Sequence, residues 1–234
     1  MSKTKKAVII GSVLVGIGVI IGFIGIAIGG FKFPNGAVDL TTMKALHAEK
    51  KTVQIADAFD KIEIAGASSM DIEICKSKTG KNYVEYYDTD DWTSHVDVKE
   101  HVLKFTTDDK GKHKAIVSLG FGKDTAARLY LADAEYKEIA VTTLSGYVTI
   151  QDVNAGTVNV SASSGDIDLE RCDAEGFDIT TSSGDVDMEI TAGRTYRFET
   201  KTNSGAVDVP DGDADSDYLC KIVTSSGDVD VKQK

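Results

Sequence analysis

Seven aspartates in the C-terminal half of the chain stand at fixed places behind a Ser-Gly pair. Asp166, Asp185 and Asp228 lie two residues after the serine, and Asp168, Asp187, Asp208 and Asp230 lie four after it. Carboxylates repeated at a constant interval suit a hard cation such as calcium, which is held by oxygen ligands. They suit a plainer role equally, because a corner aspartate accepts hydrogen bonds from backbone amides and so closes a turn. The nonapeptide G-G-x-G-x-D of calcium-binding repeats is absent. Cation sites and turn caps both remain open on these residues.

The other reactive side chains read as structural. Ser145, Ser164, Ser183, Ser204 and Ser226 each precede a glycine (Gly146, Gly165, Gly184, Gly205 and Gly227). One copy per repeat marks a corner, whereas a catalytic serine is single and needs a base within reach. His47, His95, His101 and His113 show neither metal nor triad spacing. Residues 120–124 (GFGKD) lack the earlier glycine and the Ser/Thr after lysine that a phosphate loop requires. Cys220 falls at an apolar position and reads as a buried thiol, while Cys75 and Cys172 fall at strand ends too many coils apart for a disulfide. Trp92, in an acidic loop, reads as a cap over one end of the domain, and Asn159-Val-Ser161 is a sequon by pattern alone. No cofactor or metal motif is present, and the chain reads as a non-enzyme.

The elements that would position these aspartates are short strands. LSGYVTI, SSGDIDL, SSGDVDM, NSGAVDV and SSGDVDV recur at spacings of 19, 19, 21 and 22 residues. Aligned on the serine, the columns six and four before it and three and five after it are apolar but for Thr200, as in Val158, Val160, Ile167 and Leu169. Period-two alternation on both sides of a tight corner describes two strands per repeat. A repeat of this length cannot bury its own apolar face and must stack on its neighbours. The expected fold is therefore all-β: a β-solenoid of roughly 20-residue coils over residues 53–234, about nine coils and 40 Å tall. Strands are also expected at 83–87, 96–98, 102–106 and 115–119. The final coil is expected to end the stack, its VKQK tail discouraging end-to-end pairing.

In front of this domain, residues 7–31 hold 17 apolar residues, seven glycines, one serine and no charge. As a helix they reach about 37 Å, enough to cross a hydrocarbon core of about 30 Å. Lys3, Lys5 and Lys6 place residues 1–6 in the cytoplasm and the solenoid outside. A cleaved signal peptide is the rival reading, but the apolar run is long and lacks an A-x-A end. Gly18, Gly22, Gly25 and Gly29 share one helix face, which suits self-association or a protein partner in the membrane. Residues 32–52 read as a linker, with a short helix over 39–51 from Leu40, Met43 and Leu46.

The formal net charge is −11, which excludes nucleic acid as the main partner. Residues 133–234 carry 21 acidic and 8 basic side chains, so the acidity belongs to the repeats. With its SSGDIDL, SSGDVDM and SSGDVDV repeats behind one apolar segment, the sequence resembles the bacterial β-strand-repeat family of candidate adhesins that includes LiaG-like proteins. The resemblance covers about residues 53–234, and RLYL at 128–131 and YKEIAV at 136–141 match that family's lead-in. Tyr147 and Ala206 depart from it, standing where the corner aspartate is usual. The resemblance implies a surface-exposed envelope solenoid without a catalytic site. Three functions are then open: an acidic face displayed for protein or envelope contacts, an accessory of envelope-stress signalling acting through the membrane helix, and a surface protein stabilised by divalent cations.

Overall fold

The computed structural model describes residues 38–39, 44–45, 48–66, 70–89, 92–109, 116–117, 126–132 and 135–234. The apolar segment with Gly18, Gly22, Gly25 and Gly29, together with His47, His113 and residues 120–124, lies outside them. Among the described residues the chain is all-β. In order the strands are β1 (Val38–Asp39), β2 (Lys44–Ala45), β3 (Ala48–Ile55), β4 (Lys61–Ala65), β5 (Ile72–Lys76), β6 (Asn82–Thr89), β7 (Trp92–Lys99), β8 (Val102–Asp109), β9 (Ile116–Val117) and β10 (Ala127–Leu131). They continue as β11 (Tyr136–Ser145), β12 (Val148–Gln151), β13 (Asn154–Ser164), β14 (Ile167–Ser183), β15 (Val186–Ile190), β16 (Arg197–Lys201), β17 (Val207–Asp208), β18 (Leu219–Val223) and β19 (Val229–Gln233). A small antiparallel sheet, β2-β1-β9, stands apart from the rest.

The remaining strands form two sheets. One runs β7-β8-β4-β11-β13-β14-β18-β16. The other runs β3-β6-β10-β5-β12-β14-β15-β19-β17. Strand β14 belongs to both, with 167–172 in the second sheet and 173–183 in the first. Each repeat lays one strand in the first sheet, turns at Ser-Gly, and lays the next in the second. The ladders are parallel through the repeats, as a solenoid requires. The inward columns read from the sequence stack in register: Ile62, Ile139, Val158, Phe177 and Cys220 are all buried, as are Ile72, Val148, Ile167, Val186 and Val229. Each such aliphatic side chain contributes about 1.5–3 kcal/mol on burial.

Three expectations are corrected. The helix over 39–51 is not formed at its described residues, which are strand. Residues 48–55 pair antiparallel with β6, and Val53 and Ile55 pack on the core. Backbone pairing along an open sheet edge, with Val53 and Ile55 on the core side, outweighs a weak local helical preference. Second, the parallel ladders stop short of one end: the described residues make eight paired-strand rungs, β3 adds a further level to the second sheet alone, and β6 with β7 runs antiparallel to the rung inside it.

Third, the last coil does not end the stack. β18 lies between β14 and β16, and β19 lies between β15 and β17. The coil 197–208 skips one level and forms the terminal rung, and the chain then returns to fill the gap with 219–233. Two elements make the detour possible. Tyr196, fully buried, donates its hydroxyl to the Ala174 carbonyl at 2.6 Å and closes the stretched crossing. Residues 209–218 carry the chain back, tied by the Asp213 amide to the Tyr196 carbonyl at 3.0 Å. Val207, expected inside, is consequently 42% exposed.

The corner glycines explain why the rungs sit in register. Gly165 has φ of 120°, a region that L side chains rarely enter, and a Cβ there would overlap the Gly146 carbonyl oxygen. The same overlap links Gly184 to Gly165, Gly227 to Gly184, and Gly205 to Gly227, in the order of the stack. Gly165→Ala is therefore expected to cost about 3 kcal/mol, lowering the melting temperature by roughly 6–12 °C. Gly193, with φ of 136° and open space around it, is the control. Gly193→Ala should cost only about 1 kcal/mol of backbone strain. Equal losses in a thermal melt would rule out the close approach as the cause.

Candidate functional site: the corner ridge and the aspartate ladder

The two aspartate columns occupy different environments. At the corner, each aspartate reaches one rung onward. Asp166 Oδ1 accepts the Asp185 amide at 2.9 Å, Asp185 Oδ1 accepts the Asp228 amide at 2.8 Å, and Asp228 Oδ1 accepts the Ala206 amide at 2.7 Å. The turn-cap reading is thus realised, but between coils and not within one. Asp71, which sequence reasoning missed, does the same for the Tyr147 amide at 2.9 Å. The signal was available: Asp71-Ile72 opens the strand after the corner of its coil, as Asp166-Ile167 and Asp185-Val186 do after theirs.

The departures now have positions. Ala206 belongs to the terminal rung, beyond which no described corner needs a cap. Tyr147 has no carboxylate to offer, and of the five amides following the Ser-Gly pairs, Asp166's alone has no acceptor among the described residues.

The second column is a ladder on the outer surface of the second sheet. Asp168 pairs in register with Asp187, Asp187 with Asp230, and Asp230 with Asp208. Neighbouring strands are about 4.8 Å apart, so like charges stack. Partial burial, then Glu170 and Asp187, push the Asp168 carboxyl above its ordinary range. Partial burial, then Asp230 and Asp185, do the same to Asp187. Glu170 and Glu189 form a parallel acidic pair two residues along. Partial relief comes from Lys232 on Asp230 at 3.0 Å and Lys234 on Glu189 at 2.6 Å. Away from the ladder, acids are matched across strands: Arg128 with Glu73 at 2.7 Å in the second sheet, and Lys104 with Glu63 at 2.7 Å, Lys61 with Glu138 at 3.0 Å and Lys221 with Asp178 at 3.0 Å in the first.

Among the described residues, no three His, Cys, Asp or Glu side chains converge as a metal centre would require. Cys75, Cys172 and Cys220 are free thiols. Burial pushes Cys172 and Cys220 up to about 12, so they are inert apolar groups. His95 lies 3.1 Å from the exposed Asp108 carboxylate, and His101 sits in the turn between β7 and β8. Trp92 packs partly buried against the core at the outermost rung, its indole N–H donating to the Tyr87 carbonyl at 3.2 Å. A depression of about 260 Å³ lies at the opposite corner, lined by Lys76, Tyr136, Asp152 and Arg171. Arg171 bonds Asp152 through two nitrogens at 2.7 and 3.0 Å and holds that carboxyl below its ordinary range. The Arg171 and Asp152 charges are committed to each other.

Stacked parallel coils with glycine corners and inter-coil aspartate caps define a two-sheet β-solenoid-like protein. The chain belongs to the Toastrack DUF4097 family, whose model matches residues 59–234. Among solved structures it is similar to a candidate cell adhesion protein from Clostridium sporogenes, with a TM-score of 0.59 at 16% identity, covering 81% of this chain and all of the other. A candidate adhesin from Bacteroides fragilis matches at TM-score 0.35 and 15% identity, covering 80% of this chain and 97% of the other. A third, from Parabacteroides distasonis, matches at TM-score 0.35 and 11% identity, covering 79% of this chain and 97% of the other. At these identities the first likeness establishes a shared fold. No functionally curated protein is detectably similar in sequence.

The two columns should respond oppositely to neutralisation. Asp185→Ala removes an acceptor and should cost about 1 kcal/mol, whereas Asp185→Asn keeps one and should cost little. Asp187→Asn should instead stabilise. Folding raises the Asp187 pKa, so its charge opposes folding at neutral pH, and that cost fades as pH falls through the folded pKa. A like-charge neighbour is worth about 1 kcal/mol in water, so the variant should melt about 2–4 °C higher at pH 7. The gain should shrink below about pH 4. Thermal melts across pH check both, and a destabilised Asp187→Asn would show the ladder to be structural.

Proposed function

We propose that this chain is a membrane-anchored, non-enzymatic surface protein of the cell envelope. The span at 7–31 holds it, with the N-terminal lysines inside and the solenoid outside. The solenoid displays the Asp168–Asp187–Asp230–Asp208 ladder to a basic partner, a cationic protein segment or envelope polymer. One observation carries this reading: four aspartates stacked in register on an exposed face, two of them, Asp168 and Asp187, with carboxyl pKa values raised by burial and by neighbouring carboxylates. Such a column opposes folding at neutral pH, and contact with cations would relieve it. The likeness to a candidate cell adhesion protein supports the display role. A rigid stack presenting regularly spaced carboxylates would dock partners by multivalent contact, without chemistry.

Two measurements test it on the full-length chain. On intact cells, external protease should remove the solenoid and leave the N-terminal segment in the membrane fraction; a protease-protected solenoid would overturn the topology. In detergent micelles, binding to polylysine should fall tenfold or more when Asp168, Asp187, Asp208 and Asp230 are all changed to Asn. Changing Asp211, Asp213, Asp215 and Asp217 to Asn removes as much charge from a loop and should leave binding nearly unchanged. Equal losses in the two variants would reduce the ladder to bulk acidity.

A further inference from the structure

Among the described residues, four large apolar side chains are exposed: Leu144 at 60%, Tyr147 at 58%, Val207 at 42% and Tyr218 at 36%. Two are accounted for by the end of the stack. Val207 lies in the terminal rung, and Tyr218 packs against Tyr196 with Arg194 over its ring. Leu144 and Tyr147 are not at an end. They flank the Ser145-Gly146 corner in the middle of the stack. At the same two places the other corners carry Ser163 and Asp166, Ser182 and Asp185, Asn203 and Ala206, or Ser225 and Asp228. One coil therefore interrupts a polar ridge with a leucine and a tyrosine, and it is the coil beside the unaccepted Asp166 amide.

We propose that this corner is a carbohydrate-binding site that takes one face of a neutral sugar ring. The Tyr147 ring and Leu144 supply an exposed apolar platform for the C–H face of the sugar. The Asp166 amide supplies a donor with no protein acceptor, and the Asp166 carboxylate, with one oxygen committed to the Asp185 amide at 2.9 Å, supplies an acceptor. Ser145 and Ser164, paired in register at the same corner, add hydroxyls that donate or accept. Platform, donor and acceptors on one ridge match a ring bearing hydroxyls on its rim.

A second copy of the chain fits this corner poorly. A stable protein interface buries about 1,200–2,000 Å², and two side chains supply a few hundred at most. Two copies meeting here would also bring together ridges bearing Asp71, Asp166, Asp185 and Asp228 on chains of net charge −11. A neutral polyol carries no such penalty. The site is separate from the aspartate ladder and does not rest on the display reading.

The test uses the ¹⁵N-labelled full chain in detergent micelles, titrated with a soluble N-acetylglucosamine tetramer. Saturable shifts at the Asp166 amide and a change in tyrosine emission, with Kd about millimolar, are expected. The double variant Leu144→Ser with Tyr147→Asp restores the residues found at neighbouring corners. It gives the Asp166 amide an acceptor, so it should melt no lower than the wild type while binding falls tenfold or more. No shift at Asp166, or undiminished binding by the double variant, overturns the proposal. Concentration-dependent association of the wild-type chain, abolished in the double variant without sugar, would assign the corner to a second copy instead.

Discussion

The close approach of one corner to the next is the constraint on which the fold depends. At Gly146, Gly165, Gly184, Gly227 and Gly205 the space a Cβ would fill is taken by the backbone carbonyl of the neighbouring rung. Each corner adopts a positive φ that glycine enters without steric cost. Because these corners nest, the coils from 61–76 to 197–208 are held at the same register, and residues at equal distances from the corner form straight columns. The aliphatic interior, the inter-coil caps and the aspartate ladder all follow from that alignment.

Nesting fixes the register of a rung but not the order in which rungs are laid. A parallel ladder needs a strand of suitable length and apolar pattern, and its hydrogen bonds do not depend on chain order. The coil 197–208 takes the outer level and the later coil 219–233 the inner one. The inner position suits the later coil, whose Cys220, Ile222, Val229 and Val231 are all apolar and buried. The coil 197–208 puts Thr200 and the exposed Val207 in the corresponding columns, a composition that tolerates one open side. Its Ala206 needs no carboxylate, because no described corner lies beyond it.

The two aspartate columns, alike in composition, are opposite in energetics. At the corner, each carboxylate is consumed by an amide of the next rung, converting an unpaired donor into a charge-assisted hydrogen bond. In mid-strand the carboxylates find mainly one another, and burial with neighbouring carboxylates raises the proton affinity of Asp168 and Asp187. The first column belongs to the architecture. The second opposes it mildly, which is why it is the better candidate for a role outside the fold.

Much of this was legible in the linear chain. The 19-residue spacing, the alternating apolar columns and the serine-glycine corners identify a stacked two-strand coil, because side-chain direction in a strand alternates with period two and repeats of this length must share a core. The outward position of the seven aspartates followed from the same alternation. What the chain could not express were relations between residues far apart along it. The insertion of the last coil depends on which edges meet in space. The service of Asp71 to Tyr147, 76 residues away, depends on the coil 61–76 stacking beneath the coil 136–151. The strand at 48–55, whose first four residues fall in the stretch expected to be helical, is decided by the edge of β6. Sequence alone determined the repeating unit, since that rests on local geometry and burial, whereas tertiary structure decided the order of the units and which polar groups were left without a partner.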